Sequence, residues 1–495
     1  MRIAIITENF LPKVDGVTRT LTRLLEHLQA TGHKMILFGP ESGMDIYAGA
    51  KLYGTAGIPF LPYPELKLNL WRPAFTKALK AFDPHVIHLV DPVYICAAFL
   101  CLFNSKKTPI VASYHTNLGT YCTQFGWGLF ASLMWSWNRY CHAQCDFTVC
   151  PSESTRHILH TKRFKNLRIW PRGIDTALFS PHQRSDELRT QWLTTGGQRQ
   201  DDDNDDDDDD DAADVDTAQK ENKVVILYVG RVSYEKNLSL VLESYKKMDH
   251  SKCHLVIVGH GPAFHPIQED CSRSQTPVTF TGYLQGIDLA TAYASADVFA
   301  FPSFTETFGQ VVLESMASGL PVVGLLAEGV KDLVQDQISG LLLDTAHLSR
   351  PKQIREYTRL LNSLVEDREM REKMGHNAIE LSSAYTWWGA MESMVQVYRD
   401  AAEKHHIHIE DDGQEITATA SADNHDIELS SVVIDDTHNH SSSSDSGLDD
   451  DFTDISSIKS GLETPNHIHH KKQEQHIAYL EAIPTTAADT RAVHL

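Results

Sequence analysis

Two carboxylates, Glu306 and Glu314, stand eight residues apart in Phe301-Pro-Ser-Phe-Thr-Glu306-Thr-Phe-Gly309-Gln-Val-Val-Leu-Glu314-Ser-Met-Ala-Ser-Gly319-Leu-Pro321. The apolar run ending at Phe301 reads as a strand, and a helix is predicted over 308–318. The start of a helix leaves backbone N–H groups without partners, and the helix dipole adds positive potential there. Thr307, Phe308 and Gly309 are therefore expected to receive an anion. A capping Glu and a surface Glu would account for each carboxylate singly, but not for Gly309, Ala317-Ser318-Gly319 and Pro321 together. Arg231 and Lys236 in Val229-Gly-Arg231-Val-Ser-Tyr-Glu-Lys236-Asn237 follow another strand-like run. Two cations at a strand's C-terminal edge suit a diphosphate that gains negative charge as a bond to it breaks. Arg offers a fork and Lys a point charge, so they should divide the oxygens. Gly16, in a loop between the first strand and a helix, aims further N–H groups the same way. His115, in Ala112-Ser-Tyr-His-Thr116, is expected at such an edge too.

The elements that must position these residues are legible as an alternation. Strands are predicted at 3–6, 35–38, 86–90, 110–113 and 147–150, and again at 224–229, 255–258, 278–281, 298–301 and 321–323. Helices are predicted between them, including 18–30, 74–82, 152–160, 238–248, 288–294, 354–366 and 368–381. Gly32 stands where a helix C-cap is expected. Such alternation implies parallel sheets covered on both faces. It occurs twice, so the fold class is α/β, with two doubly wound domains facing a cleft. The expected boundaries are a first domain over 1–183, a linker over 184–222, a second domain over 223–384, a helix over 385–404 packing back on the first domain, and a disordered tail over 405–495. No G-x-G-x-x-G follows the first strand, which argues against an NAD-dependent enzyme.

The E-x7-E segment resembles the signature of the family 4 retaining glycosyltransferases, which have the GT-B fold. The G-R-x4-K-N run at 230–237 and S-Y-H-T at 113–116 fit the same family, and the resemblance spans residues 2 to about 400. Many relatives carry two glycines where this chain has Asp15-Gly16. The resemblance implies an enzyme that moves a sugar from a UDP- or GDP-linked donor with retention, needing no metal or other cofactor. Arg231, Lys236, the N–H groups of 307–310 and the Gly16 loop would then hold the diphosphate. Glu314 would bind the ribose hydroxyls, and Glu306 and His115 the transferred sugar. The segments TENFLPKVDGV, YPELKL, ASYHT and WPRGIDTALFSP are most similar to lipid sulfoquinovosyltransferases, which act on diacylglycerol. Asn117 is similar to related GDP-mannose enzymes that act on lipids such as phosphatidylinositol. A soluble acceptor, and a non-catalytic GT-B scaffold acting through its acidic tail, stay open as alternatives.

The chain has 495 residues and a formal net charge of −22. The segment 201–216 holds 12 Asp and no Lys or Arg, and the segment 405–495 carries −14. What remains is +4, and the first 183 residues are +8. Nucleic acid is not an expected partner, whereas an anionic membrane can meet the basic N-terminal half. The aromatic stretch 125–137 reads either as a core helix or as a lipid-access face. The strand-like run from Arg2 leaves no targeting segment expected before it. Eight Cys without a disulfide framework suit a cytosolic chain, peripheral on the cytosolic face of a membrane. Cys141, Cys145 and Cys150 match no standard zinc spacing, so no metal site is expected.

Overall fold

The computed structural model describes residues 1–13, 15–60, 63–102, 107–117, 119, 128–195 and 223–407. The acidic run at 201–216 and the tail beyond 407 lie outside the described residues, and so do the expectations about them.

The first sheet is built from β1 (Arg2–Thr7), β2 (Lys34–Pro40), β3 (Ile46–Tyr47) and β4 (Ala50–Thr55), and a separate hairpin pairs β5 (Ile58–Phe60) with β6 (Tyr63–Leu68). β7 (Val86–Val90), β8 (Ile110–Ser113), β9 (Phe147–Cys150) and β10 (Leu167–Ile169) complete the first sheet, in the order β10-β9-β8-β7-β1-β2-β4-β3. Every pairing in it is parallel except β3 with β4. The second sheet contains β11 (Val224–Val229), β12 (Cys253–Val258), β13 (Val278–Gly282), β14 (Val298–Phe301), β15 (Val322–Leu325) and β16 (Gly340–Leu343). Its order is β13-β12-β11-β14-β15-β16, and it is parallel throughout. β11, β12, β14 and β15 are buried at every position, as strands covered on both faces must be.

Each sheet reverses its winding once, between β1 and β7 and between β11 and β14. Ligands of doubly wound sheets lie beyond the strands' C-terminal ends at such reversals. The loops there carry Glu8 to Gly16 and Asp91 in one half, and Gly230-Arg231 and Pro302 to Gly309 in the other.

The helix Asp186–Thr195, within the segment read as a linker, buries Trp192 and Leu193 in the core of the second sheet. The last described helix, Trp387–Lys404, returns to the first sheet. Met391, Met394, Val395 and Tyr398 pack there with Ile3, Ile5, Leu24 and Trp170. The helix Gly128–His142 buries Ala131 and Cys141 but turns Phe130, Leu133, Trp137 and Tyr140 outward. A pure core helix is therefore excluded for the described part of the aromatic stretch. No described helix is long and apolar enough to cross a membrane.

Candidate active site between the two sheet edges

The helix that follows β14 starts later than its apolar pattern suggested. It spans Gln310–Ala317, because Gly309 takes φ +94° and serves as its N-cap. That conformation favours glycine. The first intrahelical bond is donated by Val312 to the Gly309 carbonyl at 2.9 Å, so the N–H groups of Gln310 and Val311 precede it. Phe308 is buried edge-on to Tyr385, which fixes the loop from behind.

Glu306 and Glu314 have separate surroundings. Glu306 lies in the loop, ion-paired with Lys236 and accepting from Ser303 Oγ at 3.2 Å. Arg231 is exposed and has no ion-pair partner among the described residues. Glu314 is buried; Arg19 of the helix Gly16–Ala30 donates to its Oε1 at 3.0 Å, and Tyr293 donates to its Oε2 at 3.1 Å. Burial pushes its pKa up, and Arg19 and Tyr293 oppose that. Both oxygens of the carboxylate expected at the ribose are thus held by protein groups, one from each half.

The two halves meet through a set of directional contacts. Thr307 donates to the His115 carbonyl at 3.1 Å, and its own carbonyl accepts from Ser152 Oγ at 2.8 Å and Thr155 Oγ1 at 3.1 Å. Thr155 Oγ1 also lies 2.8 Å from Glu328 Oε1, so its one proton is shared between the two acceptors, and Gln310 Nε2 donates to the Gly173 carbonyl at 3.0 Å. Thr307 is therefore a hub between the halves. Gly16 opens its helix with nothing within 4 Å of where a Cβ would lie, and Asp15 caps that helix by accepting from the Thr18 N–H at 2.9 Å.

His115 is buried with both ring nitrogens engaged. Arg172 Nη2 donates to its Nδ1 at 2.9 Å, and its Nε2 meets Ser113 Oγ at 2.8 Å. Ser113 Oγ also meets His88 Nε2 at 2.9 Å, and His88 Nδ1 meets the Tyr398 hydroxyl at 2.8 Å. Because Arg is an obligate donor, His115 accepts at Nδ1 and donates from Nε2 to Ser113 Oγ, so its imidazole is neutral, and the contacts continue through Ser113 and His88 to Tyr398. Burial agrees, pushing His88 down to about 3 and His115 well below the usual range.

Two carboxyls at the first sheet's edge are also displaced. Asp91 accepts from the N–H groups of His115 and Thr116, and burial pushes its pKa up to about 6. Glu8 accepts through Oε1 from the N–H of Tyr94 at 2.6 Å and of Cys96 at 3.3 Å. Its Oε2 is buried without a hydrogen bond of good geometry among the described residues, and burial pushes its pKa up to about 7. A carboxyl raised in the folded state makes folding take up a proton. That stability is complete below the unfolded value and is lost as pH rises through about 7. Glu8→Gln is accordingly expected to exceed wild type in stability at pH 8 by roughly 1–3 kcal/mol. The gap should close below pH 5. Urea unfolding at both pH values checks this, and a gap independent of pH would refute the assignment.

Of the predicted residues, the structure gathers Glu306, Lys236, Thr307, Gly309 and His115 around the loop that follows β14. Arg19, Tyr293, Arg172, Ser113, His88 and Tyr398 were not singled out by the sequence. Ser113 and Arg172 lie inside the quoted motifs and Arg19 stands two residues past one, but no spacing rule pairs residue 172 with residue 115. Among the described residues no group of three or more His, Cys, Asp or Glu could hold a metal ion.

Known proteins resemble this chain in sequence and in fold. Residues 14–178 match the family described as Glycosyltransferase Family 4, and residues 209–381 match Glycosyl transferases group 1. A GDP-mannose-dependent alpha-mannosyltransferase of Mycolicibacterium smegmatis is 33% identical over 70% of this chain and 84% of its own length. The chain is a family 4 glycosyltransferase. The sulfoquinovosyl transferase SQD2 of Arabidopsis thaliana is 30% identical to this glycosyltransferase over 79% of the chain and 71% of its own length. The sucrose-phosphate synthase of Thermosynechococcus elongatus superposes with a TM-score of 0.62 at 18% identity, covering 81% of this chain and 99% of its own. The fold is accordingly GT-B, with the two parallel-sheet domains described above.

Proposed function

We propose that this glycosyltransferase moves a sugar, with retention of anomeric configuration, from a nucleoside-diphosphate sugar to a lipid acceptor at a membrane surface. The observation that carries the reading is the loop at 306–309, where Lys236, Glu306 and the start of the helix Gln310–Ala317 come together opposite His115. The diphosphate lies against Arg231, Lys236 and the N–H groups of 307–310, with the Gly16 helix start facing it. These cations and dipoles stabilise the charge that develops as the glycosidic bond breaks. Glu306 holds Lys236 in place and, with His115, faces the transferred sugar. The acceptor hydroxyl attacks from the leaving-group face, and the departing phosphate takes its proton. Arg231 and Lys236 supply the charge neutralisation, so the reaction proceeds without a metal.

The lipid acceptor is supported by the helix Gly128–His142. Phe130, Leu133, Trp137 and Tyr140 recur at helical spacing on one exposed face, at 61%, 64%, 38% and 55% exposure, in a half that carries +8. An apolar face on a basic domain suits an anionic bilayer. Wild type is expected to float with acidic liposomes at low salt. Leu133→Asp with Trp137→Ser should cut that partition at least about tenfold, since each buried apolar side chain contributes roughly 1.5–3 kcal/mol. Equal flotation of both proteins would remove this face from the proposal.

Sulfoquinovosyl transfer to diacylglycerol is the first reading of donor and acceptor. Mannosyl transfer from GDP-mannose is the second, favoured by Asn117 and by the Mycolicibacterium relative. Incubation with UDP- and GDP-sugars against diacylglycerol and phosphatidylinositol, with product masses measured, decides between them. Absence of any glycolipid product would sink both.

A further inference from the structure

Arg172 is a buried cation without a carboxylate partner among the described residues. It is 7% exposed, in contrast to the exposed Arg231. Its guanidinium stacks on the Trp170 ring at 4.7 Å. Nη1 donates to the carbonyls of Trp170 at 2.8 Å and Pro171 at 3.2 Å, and Nη2 donates to His115 Nδ1 at 2.9 Å. These bonds use three of five N–H groups and meet only neutral acceptors. Among the described residues the Cys150 thiol and the Asp91 carboxyl act on it electrostatically, and the oxygens of Asp91 already accept from His115 and Thr116. Holding a guanidinium in such surroundings costs several kcal/mol unless an anion compensates it.

The position of Arg172 says where that anion comes from. Its two neighbours in the site each touch the loop that follows β14. His115 accepts from Thr307 through its carbonyl, and Gly173 accepts from Gln310, the first residue of the helix Gln310–Ala317. The guanidinium therefore sits where the first sheet's edge meets that helix start, and both favour negative charge. A planar fork with free N–H groups is matched by phosphate, sulfonate or carboxylate oxygens.

We propose that Arg172 is a further substrate-binding residue, whose guanidinium takes an oxyanion of the sugar-diphosphate donor beside His115. This rests on the donor reading above. The oxyanion is either the diphosphate or an acidic substituent on the transferred sugar, and titration calorimetry separates the two. Wild type, Arg172→Gln and Arg172→Lys are titrated with UDP, GDP, UDP-glucose and UDP-glucuronic acid. Arg172→Gln is expected to bind at least about tenfold more weakly, with Arg172→Lys intermediate. A loss across all four ligands assigns the diphosphate, and a loss for UDP-glucuronic acid alone assigns the sugar substituent. Wild-type affinity for all four, with only a lowered melting temperature, would reduce Arg172 to a structural prop and overturn the proposal. If Arg172→Gln does not fold, a crystal structure of wild type with the bound nucleotide decides. An Arg172 nitrogen within hydrogen-bonding distance of a ligand oxygen supports the assignment, and a greater distance overturns it. Absence of all nucleotide binding by wild type would instead overturn the donor reading itself.

Discussion

Lys236→Ala is expected to lower turnover at least about 100-fold while leaving the protein folded. The expectation follows from where the ammonium stands. It lies in the turn after β11, beside the winding reversal of the second sheet, and is held there by Glu306 from the loop after β14. A donor aimed at charge that appears only in the transition state contributes about 3 kcal/mol or more, roughly a hundredfold in rate. Removing Lys236 has a second consequence, since Glu306 then keeps a half-buried carboxylate without its cation. Lys236→Arg should not restore full activity, because a planar fork cannot reproduce a point charge at that position. Single-turnover rates for the three proteins, with circular dichroism as a check on folding, test the prediction. Wild-type turnover by Lys236→Ala would remove Lys236 from the diphosphate site.

The parallel strands of both sheets were legible in the sequence because buried strands read as short unbroken apolar runs between turns. β1, β7, β8, β11 and β14 fall where those runs are. What the runs could not give was the partner of each edge residue. Glu314 reads as a carboxylate two turns into a helix, yet its bonds go to Arg19, 295 residues away, and to Tyr293. His115 reads as a lone histidine after a strand, but its ring is fixed by Arg172 and, through Ser113 and His88, by Tyr398 of the last described helix. Such pairings depend on how two sheets face each other, and local periodicity carries no record of that. The helix start near 308 was misplaced for a smaller reason. The pattern registers the apolar Phe308, whereas Gly309 at positive φ decides where the helix can begin. The mixed-polarity strand β4 lacks a continuous apolar run, and β16, Gly-Leu-Leu-Leu, is too short to stand out, so both escaped notice.

Gly173→Ala is expected to cost about 3 kcal/mol or more of stability, the upper range for overpacking, and to lower activity with it. A Cβ on Gly173 would lie 2.2 Å from the Trp387 nitrogen, 2.4 Å from its Cα and 2.6 Å from the Thr386 carbonyl carbon. All three atoms are backbone, so no side chain can swing aside. Ile174 donates from its N–H to the Tyr385 carbonyl at 2.9 Å at this same crossing, which locks the two segments together. Any relief must therefore move the start of the helix Trp387–Lys404. That helix supplies Met391, Met394, Val395 and Tyr398 to the first sheet's core, and Tyr398 ends the hydrogen-bond chain from His115. The Gly173 carbonyl also accepts from Gln310, so the start of the helix Gln310–Ala317 shifts as well. Gly16→Ala is the matched control, with nothing within 4 Å of its Cβ. At the start of a helix it should be neutral or stabilise by up to about 1 kcal/mol. Thermal unfolding of both variants separates close packing from glycine content. Equal melting temperatures for Gly173→Ala and wild type would mean that the crossing is not the rigid joint between the domains that its backbone contacts require.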